Sequence, residues 1–149
     1  MNAKEYLNQC RLLNQRINFN LRQMREIRDG IEGIRPPRLG GDRVQTSPDR
    51  DPFFVKALAR LSELEETIDR ETDLLADLRK QIGEAVSTLR NPNHQMVLLY
   101  RYVAGLKWPD ISGELGVGLT TLKRWHAAAL ELMWMPQDPI DISRRPEEA

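Results

Sequence analysis

The chain has 149 residues, 40% hydrophobic, 30% charged and only 6% aromatic, proportions that favour long helices with solvated faces over a large globular core. Its 22 basic and 22 acidic residues cancel, so the whole-chain charge gives no support to a polyanionic partner, and no apolar run approaches the roughly 20 residues of a membrane span. Cys10 is the only cysteine, which excludes an intrachain disulfide, and neither it nor the histidines nor any carboxylate cluster has metal-ligand spacing. The expectation is a cytosolic protein, neither secreted nor membrane-embedded, with no metal and no cofactor.

The first predicted element runs from Ala3 to Ile34. Ala3, Tyr6, Cys10, Leu13, Ile17, Asn20, Met24, Ile27, Ile31 and Ile34 recur in alternating steps of three and four, the seam of a coiled coil. Between them Arg11, Arg16, Arg22, Arg25 and Arg28 make a basic outer face, either solvated or available to phosphate. Residues 35–52 follow as a connector, because Pro36, Pro37, Gly40, Gly41, Pro48 and Pro52 cannot sustain a helix.

A second seam passes through Ala57, Leu61, Leu64, Ile68, Glu71, Leu75, Leu78, Ile82, Ala85 and Leu89, with Glu63, Glu65, Glu66 and Asp69 outside it. The two helices are predicted to fold back as a long antiparallel hairpin spanning residues 1–90. Seam partners then have numbers summing to about 88, so that Ile34 meets Phe54, Leu13 meets Leu75, and the polar Asn20 and Glu71 fall near one level. A basic helix beside an acidic one favours this pairing. Two helices alone bury little, so the hairpin is expected to oligomerise, most simply as a dimer.

Asn91-Pro92 breaks the second helix, since the residue before a proline is pushed out of the helical region. A second domain, residues 91–135, is predicted from three helical segments: His94 to Ala104, Pro109 to Leu115, and Leu119 to Met135. Gly105 ends the first, and Pro109 suits the first turn of the second. Leu115-Gly116-Val117-Gly118 supplies a sharp turn in which Gly116 is free to be left-handed. Ile111, Leu115, Val117, Leu122 and Trp125 then take the buried positions of a helix-turn-helix, and Ser112 falls where the two helices cross closely. The fold class is thus all-α, a helical hairpin followed by a three-helix helix-turn-helix domain. The tail from Pro136 to Ala149, with mixed charge and three prolines, is expected to be disordered.

A recognition helix of this kind enters the major groove by its first turns. The outward residues there are Leu119, Thr120, Lys123, Arg124 and Ala127, with Thr121 beside them, and Lys107 joins them as a candidate DNA contact. Lys123 or Arg124 suits guanine O6 and N7, the threonines suit bases or phosphates, and Leu119 or Ala127 suits a thymine methyl. The competing reading is a solvated face on a protein-interaction module. Trp125 belongs to the core stripe, whereas Trp108 has two readings, over a phosphate or packed on the preceding helix. His94 and His126 have no nucleophile or paired carboxylate at useful spacing, so they are structural or exposed, and no enzymatic activity is expected. By segment, residues 1–52 hold 10 basic and 7 acidic residues, 53–90 hold 6 and 8, and 91–149 hold 6 and 7, giving +3, −2 and −1. The weak charge of the last segment means that dimerisation, the arginines of the first helix or a protein partner must supply further affinity.

Val97-Leu98-Leu99-Tyr100-Arg101-Tyr102, Gly105-Leu106-Lys107-Trp108-Pro109-Asp110-Ile111, Leu115-Gly116-Val117 and Thr121-Leu122-Lys123-Arg124 together resemble region four of sigma factors. That region reads the promoter −35 element. Lys4-Glu5-Tyr6-Leu7-Asn8-Gln9 and Gly41-Asp42-Arg43-Val44-Gln45-Thr46-Ser47-Pro48 are similar to small phage and prophage proteins that join a helical N-terminal region to a region-four-like C-terminus. The resemblance implies a transcriptional regulator of a bacterial host cytoplasm, binding double-stranded DNA with RNA polymerase as a possible partner. Three departures weaken the pattern. Lys107 replaces a serine or threonine cap, at about 1 kcal/mol. Gly113 stands for a helix former, at about 0.5–1 kcal/mol. Ala127-Ala128-Ala129 replaces basic residues. No other sigma region is present in the sequence, so a complete promoter-melting factor is not expected. Two further readings remain: the small DNA-recognition subunit of a viral DNA-packaging terminase, and a polymerase-binding or scaffolding protein.

Overall fold

The computed structural model of the protein describes residues 1–34 and 52–144. The predicted connector, except for its last residue Pro52, lies outside them, as does the end of the predicted tail. All regular structure among these residues is helical: α1 (Ala3–Ile34), α2 (Pro52–Val86), α3 (Pro92–Leu98), a π-helical continuation of α3 (Leu99–Val103), α4 (Trp108–Leu115) and α5 (Leu119–Leu132). No strand occurs among the described residues, and no helix there is long and apolar enough to cross a membrane.

The chain divides into two compact units, but not at Asn91-Pro92. One comprises Met1–Asn14 with Asp73–Ala149, the other Gln15–Thr72. The proline does end a helix, yet the last turns of α2 lie on the same side of the division as α3, α4 and α5. Leu75, Leu78, Ile82, Ala85 and Val86 on α2, with Tyr6, Leu7, Cys10 and Leu13 on α1, are all buried in that unit. Burial of these side chains ties the two helix ends into that unit, whereas a proline breaks only the backbone.

In the unit Gln15–Thr72, Ile17, Met24, Ile31 and Leu64 are the buried apolar seam residues among those described. Arg16 Nη2 lies 3.0 Å from Glu71 Oε1 and Arg28 Nη2 3.4 Å from Glu65 Oε1, so later residues of α1 meet earlier residues of α2 and the two segments are antiparallel. Basic α1 and acidic α2 do supply these pairs, as their sequences predict. Glu71, 9% exposed, takes Arg16 as its ion-pair partner, and its Oε2 is buried with no hydrogen-bond partner among the described residues. The predicted pairing of Ile34 with Phe54 involves a side chain outside the described ones.

In the other unit, α1 begins with a reciprocal cap: Asn2 Oδ1 accepts from the Glu5 N–H at 2.8 Å, and Glu5 Oε2 accepts from the Asn2 N–H at 3.1 Å. The Tyr6 hydroxyl donates to Gln81 Oε1 at 2.7 Å, joining α1 to α2. Leu7, Gln9 and Val86 are buried although the seams omit them. The reason lies partly in the tail. Expected to be disordered, it is instead docked over residues 138–142, where the Gln9 and Gln81 side chains bond its main chain.

Candidate nucleic-acid interface

Local sequence explains how each helix of residues 92–132 starts and stops. The Asn91 side chain caps α3 by accepting from the Asn93 N–H at 2.9 Å, and Pro92 follows in the first turn, where its missing N–H is harmless. After Leu98 the helix widens, so that the Ala104 N–H donates five residues back to the Leu99 carbonyl at 2.9 Å. Gly105, at φ +71°, turns the chain into a conformation that a side chain would oppose.

Lys107 caps α4 with main chain alone: its carbonyl accepts from Asp110 and Ile111, each at 3.0 Å, and its side chain bonds nothing in the cap. The helix ends at Gly116, φ +66° and ψ +31°, the left-handed turn that the sequence predicts. The N–H groups of Gly116 and Val117 both donate to the Ser112 carbonyl, and the Ser112 hydroxyl donates to the Val117 carbonyl. Ser112 therefore locks the turn through its hydroxyl, a role beyond the small volume for which the sequence singled it out. Gly118, extended, opens α5 without a side-chain cap.

Packing sets which faces remain outside. Val97 of α3, Ile111 of α4 and Leu122 of α5 are fully buried against one another, and Leu106, Leu115, Val117, Tyr100, Trp108 and Trp125 close around them. With Leu122 and Trp125 turned inward, α5 exposes Leu119, Thr120, Lys123, Arg124 and Ala127, while Thr121 is half-buried at the flank. Thr120, Lys123, Arg124 and Ala127 recur at helical spacing on one face. Lys107 is exposed at the start of α4, a different element. The helices differ from their predicted limits by a residue or more, α5 ending at Leu132, with Trp134 75% exposed beyond it.

A cluster the sequence did not reveal backs this face. Arg101, on the π-helical turn, places its guanidinium 4.6 Å from the Trp108 ring centre and donates to the Leu106 carbonyl at 3.1 Å. Trp108 meets His126 edge-on at 4.8 Å, and His126 stacks on Tyr102 at 5.7 Å, with a 2.7 Å hydrogen bond between its Nε2 and the Tyr102 hydroxyl. Of its two predicted readings, Trp108 takes the packed one. Burial pushes the His126 pKa down to about 4, and the positive charges of Lys4 and Arg101 push the same way, so its ring is neutral at pH 7. Burial also lowers the Arg101 pKa, helped by Arg11. Lys4 and Arg11 belong to α1, so the first turns of that helix bring positive charge within electrostatic reach of α3 and α5. No spacing rule joins position 101 to 108 and 126, because the three lie on separate helical segments that only packing brings together.

No family model, curated protein or solved structure matches this chain.

Proposed function

We propose that α4 and α5 form the helix-turn-helix of a sequence-specific regulator that binds double-stranded DNA, with α5 as the recognition helix. The carrying observation is the exposed face Thr120, Lys123, Arg124 and Ala127 on a helix whose opposite face is held by Leu122 and Trp125 against a glycine-turned partner. A short rigid turn and a buried seam fix the angle at which such a helix is presented, and two adjacent cations suit guanine edges or flanking phosphates. Lys4 and Arg11 supply some of the positive charge that residues 91–149 lack.

The sigma-region-four resemblance gives this reading its phage-type regulatory setting. Self-association through the paired α1 and α2 segments, a coiled-coil hairpin in this reading, completes it. Phe19, 58% exposed, with Leu21 and Leu58 also exposed, gives the unit Gln15–Thr72 apolar surface for that contact.

The test is selection of bound sequences from random duplexes, followed by binding of Lys123→Ala/Arg124→Ala to the selected site. The double variant is expected to lose at least tenfold in affinity. Loss confined to the selected site indicates base contact, and uniform weakening with a shallower salt dependence indicates phosphate contact. Unchanged binding, or no site recovered, removes the proposal and leaves α5 as a protein-docking face.

A further inference from the structure

Residues 138–142 are held through their main chain by two side-chain amides. Gln81 Nε2 donates to the Asp138 carbonyl at 3.0 Å, and Gln81 Oε1 accepts from the Ile140 N–H at 2.9 Å. Gln9 Nε2 donates to the Ile140 carbonyl at 2.8 Å, and Gln9 Oε1 accepts from the Ile142 N–H at 2.9 Å. Each amide thus spans the carbonyl of one residue and the N–H of the next but one, as a neighbouring strand would. The two clamps share Ile140 and follow one another two residues apart, between a bend at Asp138 and a turn closed by the Arg144 N–H on the Asp141 carbonyl at 3.2 Å.

The clamps are themselves built in. The Tyr6 hydroxyl donates to Gln81 Oε1, and Gln9 Nε2 donates also to the Tyr6 carbonyl at 3.2 Å. Gln9 is only 6% exposed with residues 138–142 in place, so the segment that covers its amide must return the hydrogen bonds that water would otherwise make. Main-chain contacts ask of an occupant only that its second and third clamped residues have N–H groups. Ile140 and Ile142 are half-buried, which adds a preference for apolar side chains at alternate positions.

We propose that Tyr6, Gln9 and Gln81 form a receptor for peptide main chain, filled by the chain's own residues 138–142 and open to the same residues of a second copy. The second copy carries this ligand by construction. Replacing one tail by the other leaves every contact in place, so concentration decides between them. A short tether holds the chain's own segment at an effective concentration of roughly millimolar, so exchange needs either a weakened tail or copies already held close. This inference stands apart from the DNA-binding proposal.

The test uses the full chain carrying Ile140→Pro and Ile142→Pro, which removes both clamped N–H groups from the tail and leaves the receptor intact. A fluorescent peptide of residues 136–144 is titrated against it, with circular dichroism confirming unchanged helix content. The variant should bind the peptide at least ten times more tightly than the unaltered chain, whose own tail competes. A peptide N-methylated at the Ile140 and Ile142 nitrogens should not bind. Equal binding to both chains, or undiminished binding of the methylated peptide, overturns the receptor. For exchange, Gln81→Leu, with a damaged receptor and an intact tail, is mixed with the proline variant. Mixed assemblies heavier than either chain alone support exchange between copies, and no increase in mass overturns it.

Discussion

Single residues carry two sharp thermodynamic consequences. His126 is neutral when folded, with its pKa pushed down to about 4 by burial against Tyr102 and Trp108, whereas an unfolded histidine takes up a proton below about pH 6.5. Between those values the unfolded chain binds the extra proton, so the His126 contribution to stability is full above about pH 6.5 and is lost as pH drops toward 4. The loss is on the order of 2 kcal/mol after allowance for solvent screening at a half-buried site. Urea denaturation at pH 7 and pH 4.5 measures it, and His126→Phe should flatten the difference. The glycines of α4 make an opposing pair. A Cβ on Gly113 meets nothing within 4 Å, so Gly113→Ala should raise stability by about 0.5–1 kcal/mol, visible as a higher Tm. Gly116 has equal room but sits at φ +66°, so Gly116→Ala should cost about 1–2 kcal/mol.

At the scale of elements, α4 and α5 are oriented by their shared core more than by their caps, since neither Lys107 nor Gly118 gives a side-chain cap. Leu122→Ala should therefore cost about 2–5 kcal/mol, whereas Thr120→Ala on the outer face should cost under about 0.5 kcal/mol. Thermal melts of the two variants compare them directly, and near-equal values would mean that the assignment of faces is wrong. This inward and outward sorting was legible in the sequence, because Ile111, Leu122 and Trp125 repeat at helical spacing around a glycine whose left-handed turn is nearly obligatory. The exposed candidates on α5 followed from it. What stayed hidden depends on contacts that no period encodes: the π-helical turn at Leu99–Val103, the Arg101–Trp108–His126 stack it sets up, and the Ser112 hydroxyl on Val117. The docking of the tail is hidden for a related reason. Its prolines disfavour a helix, but glutamines distant in sequence hold residues 138–142 by their main chain.

At the scale of the molecule, the antiparallel meeting of α1 and α2 includes one ion pair of unequal exposure, Arg16 largely in water and Glu71 largely out of it. Arg16→Ala leaves the Glu71 carboxylate buried without its cation and should cost about 1–2 kcal/mol. Glu71→Leu removes the buried charge itself and should be neutral or stabilising. Denaturant midpoints test this: that of Arg16→Ala should fall and that of Glu71→Leu should not. The seams announced that the helices pair. They did not announce where the molecule divides, because the boundary at 72 and 73 falls within α2, an unbroken helix.

That division bears on the order in which the molecule assembles. The unit containing α3, α4 and α5 also requires Met1–Asn14, separated from Asp73 by the whole of the other unit. The core of Val97, Ile111 and Leu122 is drawn from one short stretch and needs little loop closure, so it is free to form early. Tyr6 and Gln9 must wait for α2, and Gln9 waits further for Ile140 and Ile142. On a ribosome the first helix therefore emerges long before its partners, carrying an unmatched apolar seam past a growing chain, which makes the interval before closure the period of greatest exposure to aggregation and to chaperones.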